Sequence, residues 1–117
     1  MKLETFIEVE KALRGLSEKS RKLNFSSLKS YVKFTALDPK QLIEEAKTDK
    51  IKPNSSGVSE ERLYAFYKHL LTKNGLSKKL AGSYFNAVRI FYKKNGFPLR
   101  VTLTRALKYA EYVLGIH

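Results

Sequence analysis

The sequence contains no cysteine, no tryptophan and only two histidines, His69 and His117. Without cysteine the chain forms no disulfide and offers no thiolate to a metal ion. Two isolated histidines do not make a zinc site, so we expect no metal and no cofactor. No apolar run approaches the roughly 18–20 residues of a membrane span, and the acidic N-terminus does not begin like a signal peptide. We therefore expect a cytoplasmic protein that does not contact a membrane.

The motifs of common enzyme classes are absent as well. The sequence has no glycine-rich phosphate loop, no carboxylate pair and no Ser-His-Asp order. His69 lies within an aromatic segment, where a structural histidine is more common than a catalytic one. We expect no enzymatic activity and no small-molecule substrate.

The residues that are present fit one folded domain, 1–117. A length of 117 residues is typical of a single domain, and seven Phe and seven Tyr supply material for a core. We assign most of these rings to packing rather than to base stacking, because stacking platforms sit mainly on sheets or in single-strand grooves. The rings so assigned include Tyr84, Phe85, Phe91 and Tyr92.

Positive charge is the strongest signal in the sequence. The 23 Lys and Arg residues exceed the 11 Asp and Glu residues, for a net charge of +12, which favours a polyanionic partner. The excess lies in two stretches without an acidic residue: 63–110, with ten basic residues, and 19–37, with five. Because no Glu is interleaved with Lys four residues away there, we expect these cations to lack local partners.

Apolar spacing and capping residues predict an all-α fold, a small bundle of four to six helices. Ser17 and Ser77 are expected to cap the second and fifth helices, Asp38 and Pro39 to start the third, and Ser59 to open the fourth. The predicted helices cover residues 5–14, 17–34, 39–47, 59–73, 77–94 and 104–114. Between them we expect a loop at 50–57 and a short extended piece at 99–103.

The tripeptide Gly-Leu-Ser occurs twice, at 15–17 and 75–77, and the helices that follow keep register at this offset. Their apolar positions correspond in pairs: Phe25 with Phe85, Leu28 with Val88 and Tyr31 with Phe91. The polar positions opposite this apolar face also correspond, and they repeat every three or four residues, which places them on one stripe of each helix. Each of the two helices is therefore expected to carry apolar residues on the face toward the core and cations on the opposite face.

We name these stripes by their residues. The first basic row is Lys19, Lys22, Ser26, Lys29 and Lys33. The second basic row is Lys78, Lys79, Ser83, Asn86, Arg89 and Lys93. Lys and Arg neutralise phosphates, whereas Asn, Ser and Arg form hydrogen bonds with base edges, so the two rows predict duplex DNA binding. Gly82, which corresponds to Lys22, and Ser83 are expected to leave room for close approach of the DNA.

Two other interpretations stay open at this point. Amphipathic helices of any small bundle expose lysines, and short similar helices recur by chance. A helical module with a basic face also suits an acidic protein surface or RNA, and the acidic segment 37–61 would then meet a protein partner.

Several segments resemble a known family: 63–70 (LYAFYKHL), 75–77 (GLS), Tyr84, 88–89 (VR), 91–92 (FY) and 96–99 (GFPL). Together they are similar to the N-terminal core-binding domain of tyrosine recombinases, the phage-integrase-like site-specific recombinases, of the archaeal or viral type. Residues 38–46 (DPKQLIEEA) resemble the linker segment common in that family. The resemblance spans roughly residues 17–99.

The resemblance implies a SAM-like domain in which two crossed helices, the second and fifth here, clamp DNA against a separate catalytic domain. The implied partners are duplex DNA, a C-terminal catalytic domain absent from this chain, and neighbouring protomers on DNA, in a prokaryotic or viral host cell. The catalytic His-x-x-Arg element of the family is missing, because Leu70, Leu71 and Thr72 follow His69. We therefore expect a domain that binds DNA without catalysing recombination, either as a piece of a larger integrase or as a stand-alone relative.

Overall fold

In the part of the chain that the structure describes, the fold consists of six α-helices, as predicted. The computed structural model describes residues 2–49 and 57–114, with side chains to residue 108, and no strand occurs in these ranges. The helices are α1 (Ile7–Leu13), α2 (Glu18–Thr35), α3 (Pro39–Asp49), α4 (Val58–Thr72), α5 (Lys78–Lys94) and α6 (Leu103–Leu114). Within these ranges, no helix combines the length and the apolar character that crossing a membrane requires.

The predicted helix bounds agree with the structure to within two residues, and the differences have local causes. The first helix starts later, because a 3-10 turn at Leu3–Thr5 and an extended Phe6 precede it. The fourth helix starts earlier: its N-cap is Gly57, and Ser59 is a buried residue inside the helix whose N–H donates to Asp49 Oδ2 at 2.9 Å. The segment 99–102 is irregular, and most of the predicted loop at 50–57 lies outside the described residues.

The repeated tripeptide builds the same local structure twice. Gly15 and Gly75 adopt left-handed φ values of +82° and +63°, which glycine tolerates best. Two residues later, the hydroxyl oxygens of Ser17 and Ser77 each accept a hydrogen bond of 3.2 Å from the backbone N–H three residues ahead. Each serine thereby satisfies one free N–H of the first helical turn. Each copy of the repeat therefore ends one helix at the glycine and starts the next at the serine.

Helix α5 lies at the centre of the bundle and packs against α1, α2, α4 and α6. Phe85, Phe91 and Tyr92 on α5 are fully buried, which confirms their assignment to the core, and Tyr84 is half-buried against it. Phe85 packs edge-on against Tyr67 of α4, with ring centroids 5.8 Å apart. Phe25, the counterpart of Phe85 in the repeat, is only half-buried, because it lines an open groove between α1 and α2.

Polar contacts join the helices around this core. The buried hydroxyls of Tyr31 on α2 and Tyr92 on α5 form a hydrogen bond of 2.9 Å. Arg62 of α4 donates two hydrogen bonds, of 2.7 and 2.9 Å, to the Glu45 carboxylate and so ties α4 to α3. His69 packs against the Phe34 ring at 4.8 Å between centroids, which fits the structural role expected for this histidine.

The buried tyrosine pair predicts a loss of stability at alkaline pH. Burial raises the pKa of both Tyr31 and Tyr92 above the value near 10 that unfolded tyrosine shows. Above about pH 10 the unfolded chain therefore releases protons that the folded chain retains, whereas below it there is no such difference. We expect the free energy of unfolding to fall above pH 10 by up to about 1.4 kcal/mol per pH unit for each tyrosine. Denaturant titrations at a series of pH values measure this slope.

The variant Tyr92→Phe separates this effect from the titration of lysines. It removes one of the two titrating hydroxyls, so its stability should decline less steeply above pH 10 than that of the wild type. Near neutral pH the variant should lose about 1 kcal/mol, because the hydrogen bond to Tyr31 is gone. Identical slopes for the two proteins would mean that Tyr92 ionises normally in the folded state.

Candidate nucleic-acid interface

The first basic row lies on the exposed surface of α2. All five of its residues are exposed, whereas Tyr31 and Leu28 on the same helix are buried. Tyr31 lies roughly 200° around the helix from both Lys29 and Lys33, at 100° per residue. The row therefore occupies the side of α2 that faces away from the core, as the sequence predicted.

The second basic row lies on α5 and is less uniform. Its four cations are exposed, but Ser83 and Asn86 are half-buried. The Ser83 hydroxyl donates to the Lys79 carbonyl oxygen at 3.2 Å, which leaves it only as an acceptor toward another molecule. The Asn86 amide makes no hydrogen bond with any described residue, so its donors and its acceptor are both available. The exposed cations are Lys78, Lys79, Arg89 and Lys93.

Gly82 does not face an open surface, contrary to expectation. It is buried, and a Cβ at this position would lie 3.1 Å from Cδ2 of Leu103 at the start of α6. The missing side chain therefore accommodates α6 and not a DNA backbone. The position that holds Lys22 in the first row has no exposed equivalent in the second.

The expectation that the cations lack partners holds with one exception. Lys22 lies 3.6 Å from the Glu18 carboxylate, one turn earlier on α2 and just outside the acid-free stretch. Both side chains are more than three-quarters exposed, and ion pairs of this kind contribute little. Among the described residues, no other cation of the two rows forms an ion pair.

The N-terminal segment and α1 lie beside the first basic row. An open groove of about 600 Å³ runs between α1 and α2, with an apolar floor formed by Val9, Leu13 and Phe25. A second groove of about 340 Å³ adjoins it at Phe25. Lys22 lines the first groove, and Lys29 and Lys33 line the second. Neither groove contains a residue of α5, so these contacts do not bring the two rows together.

Cations outside the two basic rows also line these grooves. Arg14 and Arg21 line the larger groove and Lys2 the smaller one, while Glu4 and Glu10 contribute negative charge to the same walls. Arg14 and Lys2 escaped notice because they lie close in sequence to glutamates of the N-terminal segment. Their position beside the first row is a product of packing, and the sequence carries no direct signal for it.

No group of three or more His, Asp or Glu side chains that suits a metal ion occurs among residues 2–49 and 57–108. Comparisons of the chain with protein-family models, with curated proteins and with solved structures found no match. The exposed cations and the grooves beside them are therefore the features from which a function can be argued.

Proposed function

We propose that this domain binds duplex DNA, with the first basic row as the principal contact surface and the second basic row as an additional one. The observation that carries the proposal is the exposure of eight cations on two helices, seven of them without an ion pair to any described residue. Clustered like charges repel one another and disfavour folding unless an anion neutralises them. Duplex DNA offers such an anion along its whole length, with one charge per roughly 1.7 Å of helix axis.

The spacing of the first row supports a regular polyanion over a single acidic ligand. Lys19 and Lys33 are separated by 14 residues of continuous helix, a distance of roughly 21 Å at 1.5 Å per residue. A small anion contacts only one part of such a surface. A DNA duplex whose major groove accommodates α2 presents phosphates along the full length of that helix.

Groups that read base edges are present but few. Ser26 of the first row is exposed, and the Asn86 amide of the second row is available for the paired contacts that Asn makes with adenine. The lysines hold phosphates and carry no sequence information. We therefore propose binding that ranges from sequence-independent to moderately specific.

The resemblance of the sequence to recombinase core-binding domains gives this binding a context. We propose that the domain acts as the DNA-clamping part of a site-specific tyrosine recombinase, with catalysis supplied by a separate domain. Neighbouring protomers on the same DNA are part of that proposal.

One observation favours a rival function. The floor of the groove between α1 and α2 is apolar: Leu13 and Phe25 are half-buried there, and Val9, which also lines it, is buried. Such a floor suits apolar side chains of a protein partner better than it suits a phosphate backbone. A protein-interaction module with a basic rim is therefore the second candidate, and a folded acidic protein is its ligand.

Charge-removing variants test the proposal. The double variants Lys29→Ala/Lys33→Ala and Lys79→Ala/Arg89→Ala should each weaken binding to a short random-sequence duplex. With about 0.9 decade of affinity per phosphate contact at 0.1 M salt, the expected loss is roughly tenfold to a hundredfold for each pair. Fluorescence anisotropy with labelled duplex measures it.

The control is Lys47→Ala, which removes an exposed lysine from the acidic helix α3. It should bind DNA like the wild type. All three variants should keep their melting temperature, because the substituted side chains are exposed. If both double variants bind as tightly as the wild type, the interface has been placed on the wrong surface.

A further inference from the structure

The end of α5 docks on α1 through two neighbouring side chains. Lys94 Nζ donates a hydrogen bond of 2.8 Å to the carbonyl oxygen of Arg14, and Asn95 Nδ2 donates one of 3.0 Å to the carbonyl oxygen of Glu8. These bonds join residues 80 and 87 positions apart in the chain. They fix the ammonium group of Lys94 at the end of α1, where the sequence alone does not place it.

Three cations converge at this corner. Lys11, Arg14 and Lys94 line a groove of about 330 Å³, and no acidic side chain of the described residues lines it. The Arg14 guanidinium pairs with Glu10 at 3.0 Å, and the ends of α1 and α5 each contribute roughly half a negative charge. Together these do not balance three positive charges. The Lys94 ammonium also has three donors, of which the Arg14 carbonyl takes one.

The corner is continuous with the first basic row. Arg14 lines both the corner groove and the larger groove between α1 and α2, and Lys22 of the first row lines that larger groove. Lys94 directly follows Lys93, the last residue of the second row. The corner thus lies between one end of each row and links them along the edge formed by α1.

We propose that Lys11, Arg14 and Lys94 form a third phosphate-contact site, which binds the backbone of the same duplex that lies along the first row. This inference rests on the proposed DNA-binding function and names residues outside both rows. The bound duplex then continues past the end of α2 and over α1 toward the end of α5. Lys94 is held in place before DNA arrives, so little side-chain freedom is lost on binding.

The test is the salt dependence of duplex binding by Lys11→Gln, Lys94→Gln and the double variant. Each lost phosphate contact should make the slope of log K against log salt concentration less negative by about 0.9, so the double variant should change it by about 1.8. Glutamine at position 94 retains an N–H donor but is one bond shorter than lysine, so its melting temperature shows whether the docking contact with the Arg14 carbonyl is lost. Lys11 forms no hydrogen bond or ion pair with a described residue, so its replacement disturbs no docking contact.

The matched control is Lys47→Gln on α3, whose slope should equal that of the wild type. If the corner variants retain the wild-type slope while Lys29→Ala/Lys33→Ala weakens binding, the corner is not a contact site and the proposed function stands. If the wild type does not bind duplex DNA at all, the proposed function and this inference both fall. If a variant keeps the wild-type melting temperature, a change in its slope of log K against log salt concentration reflects a lost DNA contact rather than unfolding.

Discussion

Phe85→Ala is expected to lower the free energy of unfolding by about 3–5 kcal/mol, the largest effect of any single substitution considered for this chain. The Phe85 ring is fully buried in the centre of α5. It packs edge-on against Tyr67 and is stacked with Tyr64, at centroid distances of 5.8 and 6.4 Å. Truncation to alanine removes these contacts and leaves a cavity between α4 and α5 that the surrounding rings fill only in part. Denaturant unfolding monitored by circular dichroism measures the loss.

Leu80→Ala is the matched control, because it shortens a side chain on the same helix that is 39% exposed. Its cost should stay within about 0.5 kcal/mol, as for most surface substitutions. Phe85→Leu should fall between the two, since it keeps much of the buried volume. A loss below 1 kcal/mol for Phe85→Ala would show that α4 and α5 do not depend on this ring for their packing.

An increase in salt concentration from about 50 to 200 mM is expected to weaken duplex binding by about 10³-fold or more. The two rows contain eight cations, and contact of six of them with phosphates is enough for an effect of this size. The physical cause is the release of counterions condensed on DNA, which becomes less favourable as the bulk salt concentration rises. Anisotropy titrations at four or five salt concentrations provide the slope.

The same titration with single-stranded DNA separates the duplex from other polyanions. For single strands the slope per phosphate is smaller, about 0.7 instead of 0.9, and the rows have no exposed aromatic residue on which unpaired bases stack. We therefore expect weaker binding and a shallower slope for the single strand. A change of less than about tenfold for the duplex corresponds to about two phosphates and would favour the protein-interaction function.

The helices were predictable from sequence because their ends carry strong local signals. Ser17 and Ser77 cap α2 and α5 as expected, and Asp38 forms reciprocal hydrogen bonds with Gln41 at the start of α3. The exposure of the basic rows followed from the same periodicity. Local chemistry decides these features, so one sequence is enough to read them.

The errors arose where distant parts of the chain meet. Ser59 is predicted to open the fourth helix, but α4 begins one residue earlier, at Val58. Ser59 is buried within the helix, and its N–H donates a hydrogen bond to Asp49 of α3. Gly82 looks like an opening toward a ligand, yet Leu103 occupies the space beside it. The cationic corner at Lys94 depends on hydrogen bonds to α1 from the far end of the chain. The local sequence pattern does not indicate any of these arrangements.

The contact between Gly82 and Leu103 limits how much charge α5 can carry. A lysine introduced at position 82 would start with its Cβ only 3.1 Å from Cδ2 of Leu103, so the Leu103 side chain has to shift before the lysine can extend to solvent. On α2 the matching position is open to solvent, because no later helix folds over it. Two helices that begin from nearly the same sequence pattern therefore end with unequal charge densities, because the start of α6 occupies the place that a cation takes on α2.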